Sequence, residues 1–320
     1  MAQRANETVE EDAMRKWNEM EKDGSAEDGR KGDSMSGTLY LCATPIGNLG
    51  DITERVLETL RSVDVIAAED TRNTVRLLNH FDIHTPLTSY HEFNKYDKAE
   101  ELIRSLLAGK NIACVTDAGT PAISDPGEIL VRRCIEEGIR VTSLPGACAL
   151  ITALTLSGRS ARRFCFEGFL PQEKKEKKHV LEQLRTEERT ILLYEAPHRL
   201  KETLRDLAGT LGKERELTIC RELTKIYEEA VPTTFEKAMA FYETQEPRGE
   251  YVLVVAGADP DAVRQQAAEQ WNAMSLADHV AMYEEQGFDR KAAMKKAADD
   301  RGMSRRDVYQ DLMKKGTKKA

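Results

Sequence analysis

Cys114-Val115-Thr116-Asp117-Ala118-Gly119-Thr120-Pro121-Ala122-Ile123-Ser124-Asp125-Pro126-Gly127 is the stretch on which the fold turns. The apolar run 111–115 reads as a buried strand, and residues 128–135 carry apolar side chains at helical spacing. Between them lies a loop of small residues, hydroxyls and proline. Asp125 reads as an N-cap, with Pro126 at the first helical position. A strand that ends in glycine and proline and turns into a helix is where open α/β sheets place ligands. Taken alone, the same loop serves equally as an ordinary strand-to-helix connection. Its glycines let backbone approach a ligand closely, and Thr116, Thr120 and Ser124 offer hydroxyls.

The same grammar extends outward. Residues 38–43 read as a strand ending in Thr44-Pro45-Ile46-Gly47-Asn48-Leu49-Gly50, with Asp51 or Thr53 capping a helix to about Arg61. A strand at 63–68 runs into Glu69-Asp70-Thr71-Arg72, then a helix to Leu78, a strand at 86–90 and an amphipathic helix at 95–108. A strand at 140–144 ends in Pro145-Gly146-Ala147-Cys148-Ala149 and opens a helix to about Leu156. This alternation predicts a mostly parallel sheet wound on both faces. Residues 158–163 read as a linker. Beyond it come a strand from Arg163, a charged helix at 173–187, and a strand at 189–194 ending in Glu195-Ala196-Pro197-His198-Arg199. Further strands at 216–221 and 250–255 suggest antiparallel edges. After Gly257 strand signals vanish, and three helices are expected at 276–285, 290–300 and 305–315. Ser275 and Ser304 are their N-caps, and Gly287 and Gly302 mark the breaks.

The fold class is therefore α/β: two α/β domains plus a small helical extension. Residues 1–36 are acidic and poor in apolar side chains, which predicts a disordered tail with at most one short helix near 10–22. Residues 37–158 form the first domain, 159–258 the second, and 259–320 the basic extension. The net charge of -8 argues against a generally basic nucleic-acid binder, although an average can hide a local patch. The six cysteines are scattered without a CxxC pair or ligand spacing, so they read as reduced packing residues, with no metal expected. No secretory or membrane-spanning run is visible, and a cytoplasmic location is expected.

Four turns at strand C-termini share the small-residue signature: 43–50, 117–127, 145–149 and 195–198. Turns on one rim of a sheet converge in space. None is a phosphate-binding GxGxxG or Walker loop, which favours a phosphate-free ligand held by backbone groups, such as S-adenosylmethionine.

The series Ala43-Thr44-Pro45-Ile46-Gly47-Asn48-Leu49, Glu69-Asp70-Thr71-Arg72, the opening stretch from Thr116, Pro145-Gly146-Ala147, Phe166-Glu167-Gly168-Phe169-Leu170-Pro171, Tyr194-Glu195-Ala196-Pro197-His198-Arg199 and Pro247-Arg248-Gly249-Glu250 closely resembles the RsmI family. These are 16S rRNA (cytidine 2′-O) methyltransferases of the tetrapyrrole methylase superfamily. The resemblance runs from about Gly37 to Gly257, and the helices from Leu276 look like that family's helix-turn-helix extension. It implies two α/β domains with S-adenosylmethionine in the cleft between them, a homodimer, no metal, and 2′-O-methylation of a cytidine in the decoding centre of 16S rRNA in the small ribosomal subunit. Carried over by motif, cofactor contacts fall on Pro45, Gly119, Thr120, Pro121, Ile123, Ser124, Pro145, Gly146, Ala147, Ala196 and Pro197. The wider superfamily often has Gly-Asp-Pro where this chain has Gly119-Thr120-Pro121, so here a hydroxyl or backbone contact replaces a carboxylate.

Methyl transfer to a ribose hydroxyl needs in-line positioning and a proton acceptor. Glu69 and Asp70 at a strand end, with Arg72 to meet a phosphate, are the expected catalytic group. The alternative is that Glu69 and Arg72 pair with each other or cap the next helix. His198 and Glu195 are second candidates for the acceptor, His198 equally reading as a packing residue at a helix start. His91 and Glu92 offer a weaker acceptor wall, while Arg248 and Glu250 clamp the cleft or pair together. For RNA phosphates the sequence offers Arg290, Lys291, Lys295, Lys296, Arg301, Arg305, Arg306, Lys314, Lys315, Lys318 and Lys319. Lys174, Lys175, Lys177 and Lys178 make a second cluster, with Arg159, Arg162 and Arg163 near the linker; a solvated face is the alternative for all of these. Two other functions stay open. One is a methylase of a small tetrapyrrole, which has no need of the basic helices. The other is a non-enzymatic RNA-binding assembly factor, which a thermal shift with S-adenosylmethionine separates.

Overall fold

A computed structural model describes residues 36–269, 271 and 273–316 of the chain. The tail expected at 1–36 lies outside the described residues except for Ser36, as do Lys318, Lys319 and the side chains of Lys314 and Lys315. The first sheet holds β1 (Thr38–Cys42), β2 (Val65–Ala68), β3 (Leu87–Ser89), β4 (Ile112–Val115) and β5 (Arg140–Leu144). All are parallel, in the order β3-β2-β4-β1-β5. Helices α1 (Glu54–Ser62) and α2 (Thr71–His80) cover one face, α3 (Lys95–Leu107) and α4 (Gly127–Glu136) the other.

The pleat explains the two cores. On β4, Ile112 and Cys114 pack with Leu102, Leu106 and Leu130, whereas Ala113 and Val115 pack with Val56, Leu60 and Leu78. A strand buried on both faces is apolar throughout rather than alternating. Each fully buried leucine here contributes about 1.5–3 kcal/mol through the area it removes from water. The cysteines are free thiols, and burial pushes that of Cys42 up to about 12, so it acts as a small apolar group.

The second sheet orders β6 (Phe164–Gly168), β7 (Thr190–Glu195), β10 (Tyr251–Val255), β8 (Glu216–Arg221) and β9 (Glu229–Thr234) as β6-β7-β10-β8-β9. Only β6 and β7 are parallel; the other pairs are antiparallel. Helix α5 (Ala149–Leu156) leaves β5 and lays Leu150, Ala153 and Leu154 on one face of this second sheet. Tyr194 ties it down, its hydroxyl accepting from Leu150 N at 3.2 Å. Helices α6 (Lys174–Leu184), α7 (Pro197–Leu211) and α8 (Phe235–Thr244) cover the opposite face. Strand β9 and helix α8 were not foreseen. Pro232 within β9 argues against a strand, and the fold tolerates it because β9 is an edge with a single partner.

Helices α9 (Pro260–Glu269), α10 (Leu276–Glu285), α11 (Arg290–Asp300) and α12 (Arg305–Gly316) follow; α9 too was unforeseen. The last three share a small core of their own around Leu276, Val280, Ala293, Ala297 and Val308. Ser275 and Ser304 cap as expected, accepting from Asp278 N and Asp307 N at 3.1 Å, and Gly287 and Gly302 have positive φ at the breaks. Two of the expected phosphate-facing cations have internal work. Arg301 donates to His279 Nδ1 at 3.1 Å and Met274 O at 2.6 Å, and Lys296 lies over the Tyr283 and Phe288 rings. Lys291, Lys295, Arg305 and Arg306 remain exposed.

Candidate functional site

The C-terminal ends of β2, β4, β1 and β5 stand in a row, and hydrogen bonds join their outgoing turns. Thr44 and Gly119 exchange backbone bonds at 2.9 and 3.0 Å, and the buried Thr44 Oγ1 donates to Thr116 O at 3.1 Å. Thr120 Oγ1 donates to Ala147 O at 3.0 Å, joining the turns after β4 and β5. Glu69, one residue past β2, accepts from Thr116 Oγ1 at 2.6 Å and from Asp117 N at 3.4 Å. Ile46 and Ile123 from these turns pack into the apolar cluster on the second sheet, beside Leu192 and Val252. Together with the turn after β7, they enclose a cavity of about 530 Å³ between the two sheets.

The loop after β4 is held in an unusual shape. Gly119, Ala122 and Ser124 all have positive φ, at 91°, 67° and 64°. Non-glycine residues rarely adopt that region, and such strain persists only where neighbours over-determine it. Asp125 is the neighbour. Its Oδ1 accepts from Ala122 N at 3.0 Å and Gly127 N at 2.8 Å, and Oδ2 accepts from Ile123 N at 3.2 Å. The helix consequently starts one residue later than the sequence reading has it, at Gly127, with Pro126 in the cap position. Asp125 serves the loop and the first helical N–H at once.

Of the expected cofactor contacts, Gly119, Thr120, Ile123, Ser124, Ala196 and Pro197 line the cavity. Pro45, Pro121, Pro145, Gly146 and Ala147 are not among its lining residues. They belong to the turns that carry the lining; a Cβ on Gly146, for instance, would sit 2.6 Å from Ala43 Cβ. Gly146→Ala is therefore expected to destabilise the chain by about 1–3 kcal/mol through that overlap. Adding Ala43→Gly should recover part of the loss. Melting temperatures of the two single variants and the double variant check this, additive losses counting against the contact.

The expected catalytic group splits. Glu69 lines the cavity; Asp70 and Arg72 do not. Asp70 is the N-cap of α2, accepting from Arg72 N at 2.8 Å. It also holds the Arg72 guanidinium in a two-pronged pair, Nε–Oδ1 3.0 Å and Nη2–Oδ2 2.6 Å, which keeps its carboxyl down at about 2. Asp70 is thus a poor proton acceptor, and Arg72 pairs with it rather than with Glu69. The Arg72 side chain remains 85% exposed.

Sequence reading passed over Asp117, which does line the cavity. Its Oδ1 accepts from Asp70 N at 3.1 Å and its Oδ2 from Asn73 Nδ2 at 3.3 Å. Desolvation of the carboxyl by the surrounding turns, then the neighbouring Glu69 carboxylate, raise it above the ordinary value. The available signal was the rule that picked out Glu69, a carboxylate just past a central strand.

Other candidates also sort out. Glu195 lines the cavity too, but it is buried and its carboxylate is engaged, accepting from Ala196 N at 2.8 Å and from Thr203 Oγ1. His198 is exposed and lines the cavity, as does Glu250. His91 and Glu92 stand outside the lining, Glu92 pairing with Lys95. Arg248 lines a separate cavity beside β9 and α8, so it neither clamps this one nor meets Glu250 there. In the second basic cluster, Lys177 sits between Glu202 and Asp206, 2.7 Å from each, and Arg159 pairs with Glu216 at 2.7 Å.

Residues 38–239 match the family model of the tetrapyrrole (corrin/porphyrin) methylases. The chain is 50% identical over 274 residues to the ribosomal RNA small subunit methyltransferase I of Synechocystis sp., covering 86% of this chain and 96% of that one. It is 48% identical over 278 residues to the protein of the same name from Bacillus subtilis, covering 87% and 94%. A crystal structure of diphthine synthase superposes with a TM-score of 0.57 at 14% identity, over 69% of this chain and 90% of that one. At that identity the likeness speaks for the fold alone.

Proposed function

The chain belongs to the tetrapyrrole (corrin/porphyrin) methylase family, and from that premise we propose that it is an S-adenosylmethionine-dependent methyltransferase acting on a ribose 2′-hydroxyl of small-subunit ribosomal RNA, at a cytidine of the decoding centre. What carries this reading is the row of hydrogen-bonded, backbone-lined turns facing a cavity that has a carboxylate pair, Glu69 and Asp117, in its wall.

The lining fits a phosphate-free nucleoside ligand. Among the described residues Lys225 is the only lysine or arginine in it, and Gly119, at a φ of 91°, gives the wall a backbone shape that other residues rarely adopt. Gly119, Thr120, Ile123 and Ser124 on one side and Ala196 and Pro197 on the other would hold S-adenosylmethionine. When bound, the cofactor supplies a methyl group activated on a positively charged sulfur. The chain's own part is to fix the acceptor oxygen in line and to remove its proton. Asp117 is suited to the second task because its carboxyl titrates closer to neutrality than a free aspartate. Glu69, held by Thr116, keeps a second negative charge beside it.

Arg72, anchored by the Asp70 cap, presents its free face to an RNA phosphate in this reading. Arg72→Ala is expected to raise KM for RNA about tenfold, the scale of one charge-assisted contact, with cofactor affinity unchanged. Transfer kinetics and cofactor titration read the two separately; an unchanged KM removes Arg72 from the RNA contact. Residues 37–158 and 159–258 supply the two cavity walls, and the exposed Lys291, Lys295, Arg305 and Arg306 of the extension lie along further phosphates. The reading also makes the enzyme a cytoplasmic homodimer. Among the described residues no helix is long and apolar enough to cross a membrane.

Mass mapping of ribose methylation tests the whole. Small-subunit rRNA from cells lacking the protein should lose one 2′-O-methylcytidine, which the purified protein restores. An unaltered map overturns the reading.

A further inference from the structure

The turn between β8 and β9 is built more tightly than a hairpin connection requires. Glu222 and Thr224 both have positive φ, at 50° and 64°, without being glycine. Glu228 accepts from Thr224 N at 2.6 Å, and Lys225 Nζ donates to Glu222 Oε1 at 2.9 Å. The Lys225 stem crosses from the second sheet onto the turn after β1 so closely that a Cβ on Gly47 would lie 2.4 Å from Lys225 Cγ. Glu222, Leu223 and Lys225 line the cavity, whereas Ile226 and Tyr227 are 94% and 75% exposed.

Strained, over-determined backbone is characteristic of ligand clamps. Here it brings the Lys225 ammonium, paired with Glu222, to a cavity whose other charged lining groups among the described residues are carboxylates. It also holds an aromatic ring in water two residues farther on, within about 7 Å along the chain. The Lys225 stem and its Glu222 pair serve the fold, whereas a tyrosine ring left 75% exposed contributes little to it. A single nucleotide drawn out of an RNA strand matches the arrangement, having an anionic phosphate for the ammonium and a flat face for the ring.

We propose that the 222–228 turn clamps the acceptor nucleotide, Tyr227 stacking on the extruded base and Lys225 pairing with its phosphate. The clamp rests on the rRNA methyltransferase reading above. It assigns Tyr227 and Lys225 to RNA positioning and leaves cofactor binding to the turns of the first sheet and the turn after β7.

The test uses the full chain, small ribosomal subunits lacking the modification, and labelled S-adenosylmethionine. Tyr227→Ala should raise KM for the subunit roughly 5- to 100-fold, the range for losing one base stack, while Tyr227→Phe stays near the parent. Lys225→Met should lower the salt dependence of RNA affinity by about one phosphate contact. Cofactor affinity and melting temperature should not move with Tyr227→Ala, whose side chain is mostly in solvent. A parental KM for Tyr227→Ala in an active parent overturns the clamp alone. A change in molar mass by light scattering overturns it as well, assigning Tyr227 to a contact between copies of the chain. A parent that binds cofactor but methylates no rRNA removes the proposed function, and the clamp falls with it.

Discussion

Asp117→Asn is expected to cost methyl transfer about two to four orders of magnitude, the usual worth of a positioned proton acceptor, while cofactor affinity stays near the parental value. The substitution keeps the shape of the side chain and one acceptor oxygen, so the bond from Asp70 N at 3.1 Å survives. It replaces the other oxygen with a donor facing Asn73 Nδ2, which is relieved when the Asn73 amide turns over. What disappears is a basic group in the cavity wall. The pH dependence carries a second, signed expectation. Desolvation and the Glu69 carboxylate both raise the Asp117 carboxyl, so the active, ionised form is lost at a higher pH than an isolated aspartate of pKa about 3.9 would give. Transfer should therefore climb with pH along an acid limb displaced upward. Glu69→Gln removes one of the causes that raise it and should move that limb downward in pH. Single-turnover rates across pH for the parent, Asp117→Asn and Glu69→Gln check both points. A parental rate in Asp117→Asn would hand the proton to another lining group, such as Glu69 or His198.

That Asp117 had to be found in the structure marks where sequence reading stops. The turns were legible because each follows an apolar strand and precedes an amphipathic helix, a pattern that period and punctuation reveal. Which carboxylate at a strand end looks into the cavity is not legible. Glu69, Asp70 and Asp117 are chemically alike in one dimension, and only the α2 cap separates them, by turning Asp70 onto Arg72. Distinguishing lining residues from those behind them fails for the same reason, since Gly146 and Ala147 share a signature with Gly119 but meet Ala43 and Thr120 instead. Strand β9 stayed hidden because its partner, not its sequence, makes it a strand. The last three helices were read well because capping serines and C′ glycines are local signals, whereas α9 offers neither.

Asp125→Ala is expected to have the larger effect on cofactor binding, although Asp125 performs no chemistry. Three backbone N–H groups, of Ala122, Ile123 and Gly127, converge on this one carboxylate. Hydrogen bonds to a charged acceptor contribute about 1.5–3 kcal/mol each. Against them stand two non-glycine residues in the left-handed region, Ala122 and Ser124, at a cost of about 1–3 kcal/mol apiece. With the carboxylate present the strained loop is the stable one; without it the strain is unopposed, and the loop relaxes toward ordinary φ. Ile123 and Ser124, both in the cavity wall, then leave their places. Cofactor affinity should fall ten- to a hundredfold, about 1.4–2.8 kcal/mol, as the bound shape must be regained on each binding event. The melting temperature should fall only modestly, because neither core of the first sheet includes Asp125. Asp125→Asn, retaining one oxygen for the Ala122 and Gly127 bonds, should fall between the two. Calorimetric titration with S-adenosylmethionine, read beside thermal melts, distinguishes a preorganised loop from general unfolding. Parental affinity in Asp125→Ala would mean that the joins to Thr44 and Ala147 suffice to hold the loop, and that the carboxylate serves only the start of α4.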